Sequence, residues 1–337
     1  MVSRSFRRMI LKRSIYAILT IFGIITVNFF LVNLMPGDPI HNMIPRDPKF
    51  NKEVREILIE KFHLDAPIWE RYVIYLFNTI TFEWGDSYMQ DRTVIEIISV
   101  AMTWTLMLVG LSTIITLCLG MAVGAYAAYR RGGAFDLAST ASLLFFYGMP
   151  IFWFAIMLQI LFNSYPLEMD WWPQLPMSGY YDVLKYGNDL RLDPGMILSI
   201  LEHMILPGTT LAIGSLAGVS LVMRSSLIDV MTEDYIMTAK AKGLNDYQIL
   251  RYHAFPNGLP PMVALIAMSL AFVIGGAYQV EVIFSYRGIG YETLTAIYSL
   301  DFPVLQFIIV VGGALVVIAN LLSDFVLIFI DPRIKIA

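Results

Sequence analysis

The sequence predicts an all-α integral membrane protein of about six spanning helices. Three observations predict it. Of 337 residues, 57% are hydrophobic and only 15% are charged, where a soluble domain carries about 25% charged residues; the mean hydropathy is +0.66. Six apolar runs approach or exceed the ~20 residues that cross a hydrocarbon core as a helix. They lie near residues 15–35, 98–128, 137–162, 200–223, 259–282 and 304–330. Finally, the basic residues gather on alternate connecting segments.

The first run follows Arg4, Arg7, Arg8, Lys12 and Arg13, as a signal peptide would. It extends over 14–36, too long for a signal-peptide core, and no small-x-small cleavage pattern follows. It reads as a retained first transmembrane helix. The segment after it, 37–96, spaces Val54, Ile57, Leu58 and Phe62 helically, and Pro67 and Trp69 open a second helical pattern through Phe77. A small external cap is expected there. The second and fourth runs carry Gly120-x3-Gly124 and Gly214-x3-Gly218, small-residue pairs that let membrane helices approach closely. The segment 164–194 is rich in turn formers and aromatics, Trp171, Trp172, Tyr180, Tyr181 and Tyr186 among them. Aromatic residues of this kind anchor a chain at headgroup depth.

Orientation follows from the Lys and Arg bias. With the N-terminus inside, the inner segments hold Arg130, Arg131, Arg224, Lys240, Lys242, Arg251, Arg333 and Lys335 besides the N-terminal cluster. The outer segment 166–193 holds Glu168, Asp170, Asp182, Asp189 and Asp193 against Lys185 and Arg191. Both termini are expected in the cytoplasm of a cell-membrane protein. Residues 1–97 are expected to form the tail, first helix and external cap, and 98–337 a five-helix core.

Several functions are excluded by what the chain lacks. A phosphate-cradling loop needs Gly-Lys, and that dipeptide does not occur. His41, His63, His203 and His253 are scattered, with no second His or Cys at metal-ligand spacing. Cys118 is the single cysteine, so no intrachain disulfide forms, and it reads as a small buried hydrophobe. The modest net charge of -4 gives no sign of nucleic-acid binding. An ion-coupled transporter would cluster carboxylates near mid-membrane, whereas Asp324 stands alone in its run, open to a packing role or one in translocation. An enzyme would need convergent catalytic residues, and none of these motifs supplies them.

The most informative stretch is Asp234-Tyr235-Ile236-Met237-Thr238-Ala239-Lys240-Ala241-Lys242-Gly243-Leu244, followed by His253-Ala254-Phe255-Pro256-Asn257. It is a polar, small-residue segment with a glycine break between two apolar runs. A helix here would leave the membrane, run beside it and stop at Gly243, where glycine readily takes the left-handed cap. Glu233 and Asp234 suit the helix N-terminus, and Lys240 and Lys242 its C-terminus.

With further motifs in order, the chain resembles the membrane permease subunits of the dipeptide/oligopeptide and nickel class of ABC importers, in particular the first of the two permeases. Leu34-Met35-Pro36-Gly37-Asp38-Pro39 is similar to that family's L-x-PGDP, and Trp84-Gly85-Asp86-Ser87-Tyr88 to its GDS element. Residues 235–244 match Y-[VI]-x-TA-[RK]-AKGL, with Met237 and Thr238 standing where the wider importer signature has Glu and Ala. Val280-Glu281-Val282-Ile283-Phe284-Ser285, Asp301-Phe302-Pro303 and Asp331-Pro332-Arg333 resemble three later elements.

The resemblance implies the type I importer permease fold with a cytoplasmic coupling helix near 233–243. Glu233, Asp234, Tyr235, Thr238, Ala239, Ala241, Lys242 and Gly243 would dock it on an ATPase, Ala239 and Ala241 permitting close approach. Gly275 and Gly276 would let the fifth span bend, with Glu281 and Asp324 as gate or translocation candidates. The implied partners are a second homologous permease, two ABC ATPase subunits that bind ATP and Mg, and an extracellular substrate-binding protein. No cofactor is expected in this chain. The implied substrate is a dipeptide or oligopeptide; the Trp-rich outer segment leaves an oligosaccharide open.

Overall fold

A computed structural model describes residues 4–35, 65–164, 173–187, 193–275 and 277–330. The Pro36–Pro39 signature, the cap pattern at 51–62, Trp171, Trp172, Gly276 and Asp331-Pro332-Arg333 lie outside the described residues, as does the side chain of Asp324. The helices in chain order are α1 Arg4–Asn33, α2 Ile68–Thr81, α3 Val94–Tyr129, α4 Ala134–Tyr147, α5 Ile151–Gln159, α6 Val183–Tyr186 and α7 Pro194–Val230. After them come α8 Asp234–Ala241, α9 Asp246–Ile249, α10 Phe255–Gly258, α11 Pro260–Gly275, α12 Tyr278–Ile283, α13 Ile289–Ser299 and α14 Phe302–Ile330. Among the described residues, extended pairing is limited to one isolated bridge, Asp86 with Thr93.

Four stretches are long and apolar enough to cross a membrane: Leu11–Asn33, Val94–Tyr129, Pro194–Val230 and Phe302–Leu322. They match the first, second, fourth and sixth expected runs. The other two runs are not single straight helices. The third bends by 95° between α4 and α5. Its turn is Gly148-Met149-Pro150; proline has no N–H to continue a helix and pushes the residue before it out of the α region. The fifth expected span, 259–282, stops at Gly275 and resumes at Tyr278, with Ala277 off the helical region at φ -107°, ψ 66°. The bend and the break leave the apolar composition intact, so hydropathy reads through both.

Large apolar side chains face outward along the spans: Ile18, Val27, Ile114 and Leu119 are each more than half exposed. In water such a surface would drive association; in a bilayer it meets hydrocarbon, while the helices satisfy their own backbone groups. Cys118 is exposed as well, not buried as its apolar setting suggested.

The described residues fall into two compact units. The first joins the chain up to Thr103 with Gly288–Leu321. Its core holds Phe29, Val32, Trp84, Val94, Ile97, Ile289 and Val304. Asn28, buried in α1, donates to the Tyr75 hydroxyl at 3.0 Å and to the Gln306 carbonyl at 3.1 Å, which ties α1 to α2 and α14. The two motifs around Ser87 and Asp301 meet here. Ser87 donates its hydroxyl to the buried Asp301 carboxylate, and the Tyr88 N–H donates to the other carboxylate oxygen at 3.0 Å. The Ser87 oxygen in turn accepts the N–H groups of Met89 and Gln90. A carboxylate held so fixes the turn before α3 to the start of α14.

The second unit spans Trp104–Arg287 and resumes at Leu322. Its axis is the crossing of α3 with α7. A Cβ added at Gly120 would stand 2.5 Å from Val219 Cγ1, and one at Gly124 would stand 2.9 Å from Met223 Cβ and collide with the Ser220 carbonyl. The small pair therefore brings two helix backbones into contact. At Gly218, by contrast, a Cβ would meet nothing within 4 Å. Overpacking of this kind costs about 1–3 kcal/mol. Gly124→Ala is thus expected to lower the thermal midpoint of the detergent-purified protein, with Gly218→Ala unchanged. Equal melting of the two variants would contradict the crossing.

Candidate docking helix

Helix α8 follows directly on the membrane-length α7. The turn between them, Met231-Thr232-Glu233, is closed by Thr232 N–H to Asp229 carbonyl at 3.1 Å and Glu233 N–H to Val230 carbonyl at 3.1 Å. Glu233 is the extended N-cap residue (φ -73°, ψ 148°), and its side chain makes no capping hydrogen bond. Its charge and that of Asp234 still favour the positive end of the helix, while Lys240 lies in the last turn.

The helix ends as the glycine required. Gly243 sits at φ +83°, and its N–H reaches the Lys240 carbonyl at 2.9 Å while the Leu244 N–H reaches Ala239 at 3.4 Å. These two bonds form a Schellman cap, with Leu244 packed beside Ala239 in one apolar cluster. Immediately after it, Asn245 and Gln248 cap each other's backbone N–H groups at 2.8 and 3.0 Å, starting α9. The helix is thus short and fixed at both ends.

One face of α8 is buried. Ile236 (1% exposed) and Ala239 (4%) sit three residues apart, on one side of the helix, among Met223, Leu227, Ile249, Ala254 and Met262. The other face is open: Tyr235, Met237, Thr238, Ala241 and Lys242 are exposed, Met237 at 69%. Partial burial, with Glu233 beside it, raises the Tyr235 phenol above its ordinary value. Ala239 faces the chain's own body, and this differs from the sequence reading, which paired it with Ala241 toward a partner. The i, i+3 spacing of Ile236 and Ala239 was the available signal.

The ground beneath α8 is also fixed. Arg224, near the end of α7, donates through Nε and Nη2 to the two Asp136 carboxylate oxygens, the second at 2.9 Å. Asp136 also accepts the Gly132 N–H at 2.9 Å, so one bidentate pair ties the α3–α4 turn to α7. Ser226 donates to the Gly258 carbonyl at 2.8 Å, which ties the segment returning from α8 to the same stretch of α7.

The gate candidates lie in a different cluster. Glu281 is fully buried in α12. One of its oxygens accepts the Thr105 hydroxyl at 2.9 Å and the Ala277 N–H at 3.3 Å. Val280, Phe284 and Tyr286 around it pack with Trp104 and Tyr181. Gly275 ends α11, and the structure does not bring these residues to α8. Among the described residues no group of three or more His, Cys, Asp or Glu is placed to hold a metal.

Comparison with known proteins identifies the family. The family described as "Binding-protein-dependent transport system inner membrane component" matches residues 120–336. The oligopeptide transport system permease protein AppB of Bacillus subtilis (strain 168) is 31% identical over 327 residues, covering 97% of this chain and 98% of that protein. The dipeptide transport system permease protein DppB of Escherichia coli (strain K12) is 31% identical over 339 residues, with 97% and 98% covered. The di/tripeptide transport system permease protein DppB of Pseudomonas aeruginosa (strain UCBPP-PA14) is 31% identical over 329 residues, with 94% and 95% covered. A chain of the MetNI methionine ABC transporter, solved in inward-facing conformations, superposes with a TM-score of 0.53 over 72% of this chain and 100% of that one; at 14% identity this likeness shows the fold alone. The chain is a multi-pass membrane transport subunit, not an enzyme, and it belongs to the inner-membrane permease components of binding-protein-dependent transport systems.

Proposed function

We propose that this chain forms half of the translocation pathway of an ATP-driven importer of dipeptides or oligopeptides, with α8 as the helix that an ATPase subunit grips. The observation that carries the reading is the two-faced build of α8: Ile236 and Ala239 hold it to the body, and Tyr235, Met237, Thr238, Ala241 and Lys242 are left for a partner. A short helix with a closed entry turn and a glycine cap at its end transmits displacement without bending. The full assembly is a second, similar permease, two ATPase subunits that bind ATP and Mg, and an external protein that delivers substrate. Both termini and α8 lie on the cytoplasmic side, in keeping with the basic residues of the segments around 130 and 240. Support for a peptide substrate comes from the relatives, which are named for oligopeptide and dipeptide transport.

In this reading ATP closes the ATPases and moves the two docking helices together, and nucleotide biases a switch between two states. Glu281 serves the switch by holding the break between α11 and α12 closed on Thr105. Gly275 marks the place where that span can flex.

Two sets of variants separate docking from mounting. Met237→Asp and Ala241→Asp change only the open face. They are expected to lower ATP-dependent uptake about tenfold or more, a loss of at least ~1.4 kcal/mol of coupling, with the melting temperature of the permease unchanged. Full uptake in both variants would contradict the docking role. Ile236→Asp and Ala239→Asp place an unpaired charge in the apolar cluster, at a cost of several kcal/mol. They are expected to destabilise the purified permease itself, and unchanged melting would show that α8 is not held by this face.

A further inference from the structure

A second feature of the same unit bears on what passes through it. Between α3, α7 and α11 lies a groove of about 340 Å³. Among the described residues its wall contains no Asp, Glu, Lys, Arg or His. It contains five hydroxyls instead: Ser112, Thr113 and Thr116 from α3, Ser215 from α7 and Ser269 from α11. The rest of the wall is aliphatic, with Gly218 opening it on the α7 side.

Three of the hydroxyl protons are already used. Ser112 donates to the Leu108 carbonyl at 2.6 Å, Thr116 to Ser112 at 2.8 Å and Ser269 to Leu265 at 2.9 Å. Ser112 and Thr116 are buried, Ser269 offers oxygen lone pairs, and the more accessible Thr113 and Ser215 can donate or accept. A hydroxyl surface without charge suits a chain that carries N–H, O–H or carbonyl groups. It neither attracts nor repels side chains of either sign.

The backbone around the groove is irregular where a plain span would be regular. α3 widens into a π turn over Leu106–Gly110, and Val109 of that turn lines the groove. The break after α11 places Ala277 in the wall. Non-helical backbone at membrane depth is tolerated where it is buried in protein or lines a water-filled cavity, and π turns inside helices concentrate at functional sites. Both irregularities border the same polar groove.

We infer that this groove is this chain's wall of the translocation path, and that it takes a hydrogen-bonding chain through its hydroxyls, whatever the charge of that chain's side chains. The inference rests on the permease reading above and specifies its substrate-facing surface. Peptide amides and sugar hydroxyls share the required chemistry.

The test uses the assembled transporter in proteoliposomes, carrying Cys118→Ala so that each added thiol is the only one in this chain, and labelling is read on this chain. Ser215→Cys and Thr113→Cys are treated with a membrane-impermeant methanethiosulfonate, with and without ATP, beside Leu119→Cys on the outward apolar face. Because the reagent attacks the thiolate, which forms only where water reaches, the groove thiols are expected to react roughly a hundredfold faster than Leu119→Cys in at least one nucleotide state. Reaction no faster than Leu119→Cys in either state would overturn the inference and mark the groove as a dry packing face, covered by a second permease or by lipid. Uptake of tetra-alanine and of maltotetraose is then compared between the parent and Gly218→Leu. The parent's preference distinguishes the peptide from the sugar source. Loss of uptake in Gly218→Leu, with the ATPase subunits still bound, supports the path; undiminished uptake overturns it. If the parent transports neither probe and holds no ATPase, the permease reading fails, and the labelling still decides whether the groove is hydrated.

Discussion

Gly120 and Gly124 let α3 and α7 approach to backbone contact, and two surfaces of the second unit are built on that contact. Toward one end of the crossing, Met223 and Leu227 of α7 become the platform on which Ile236 and Ala239 of α8 rest. Along its length, Thr116, Leu117, Gly218 and Val219 form part of the groove wall. With lipid outside, helix association gains little from hydrophobicity, because the tails are as apolar as leucine. Close van der Waals packing, made possible by missing side chains, takes its place. A methyl group at Gly124 would therefore disturb the crossing, the platform and the groove together.

The same economy governs where polarity is placed. Three buried polar side chains take specific partners: Asn28 joins three helices, Asp301 closes on Ser87 and Tyr88, and Glu281 closes on Thr105. Each stabilises a place where the chain departs from a simple helix or where two helices meet. Asp136 does this at the turn near α8, where its pairing with Arg224 keeps the end of α7 in place. Force delivered to the open face of α8 would pass into α7 through packed side chains and not through a flexible loop.

Much of this was legible in the sequence, because the governing signals are local. Runs of ~20 apolar residues mark spans, and four of the six stand as long helices close to their expected limits. A short helix was expected over 233–243 and one is found at Asp234–Ala241, with Gly243 in the left-handed cap. Two kinds of feature were hidden. The 95° turn at Gly148–Pro150 and the break after Gly275 change backbone direction without changing composition. The pairings of Ser87 with Asp301 and of Thr105 with Glu281 join residues far apart in the chain, where periodicity carries no information. The inward turn of Ala239 falls between the two. Its spacing from Ile236 pointed inward, but its small size suggested a contact with a partner.

The central claim is that the open face of α8 is where an external motor takes hold. Cysteine cross-linking in the native assembly tests it most directly. In a Cys118→Ala background, Met237→Cys and Ala239→Cys are exposed to a short bifunctional thiol reagent in membranes, with ATPase subunits carrying scanned surface cysteines. The expected result is a cross-link from Met237→Cys to an ATPase subunit, altered in yield by ATP, and none from Ala239→Cys. Cross-links from Ala239→Cys alone, or from neither position, would contradict the account.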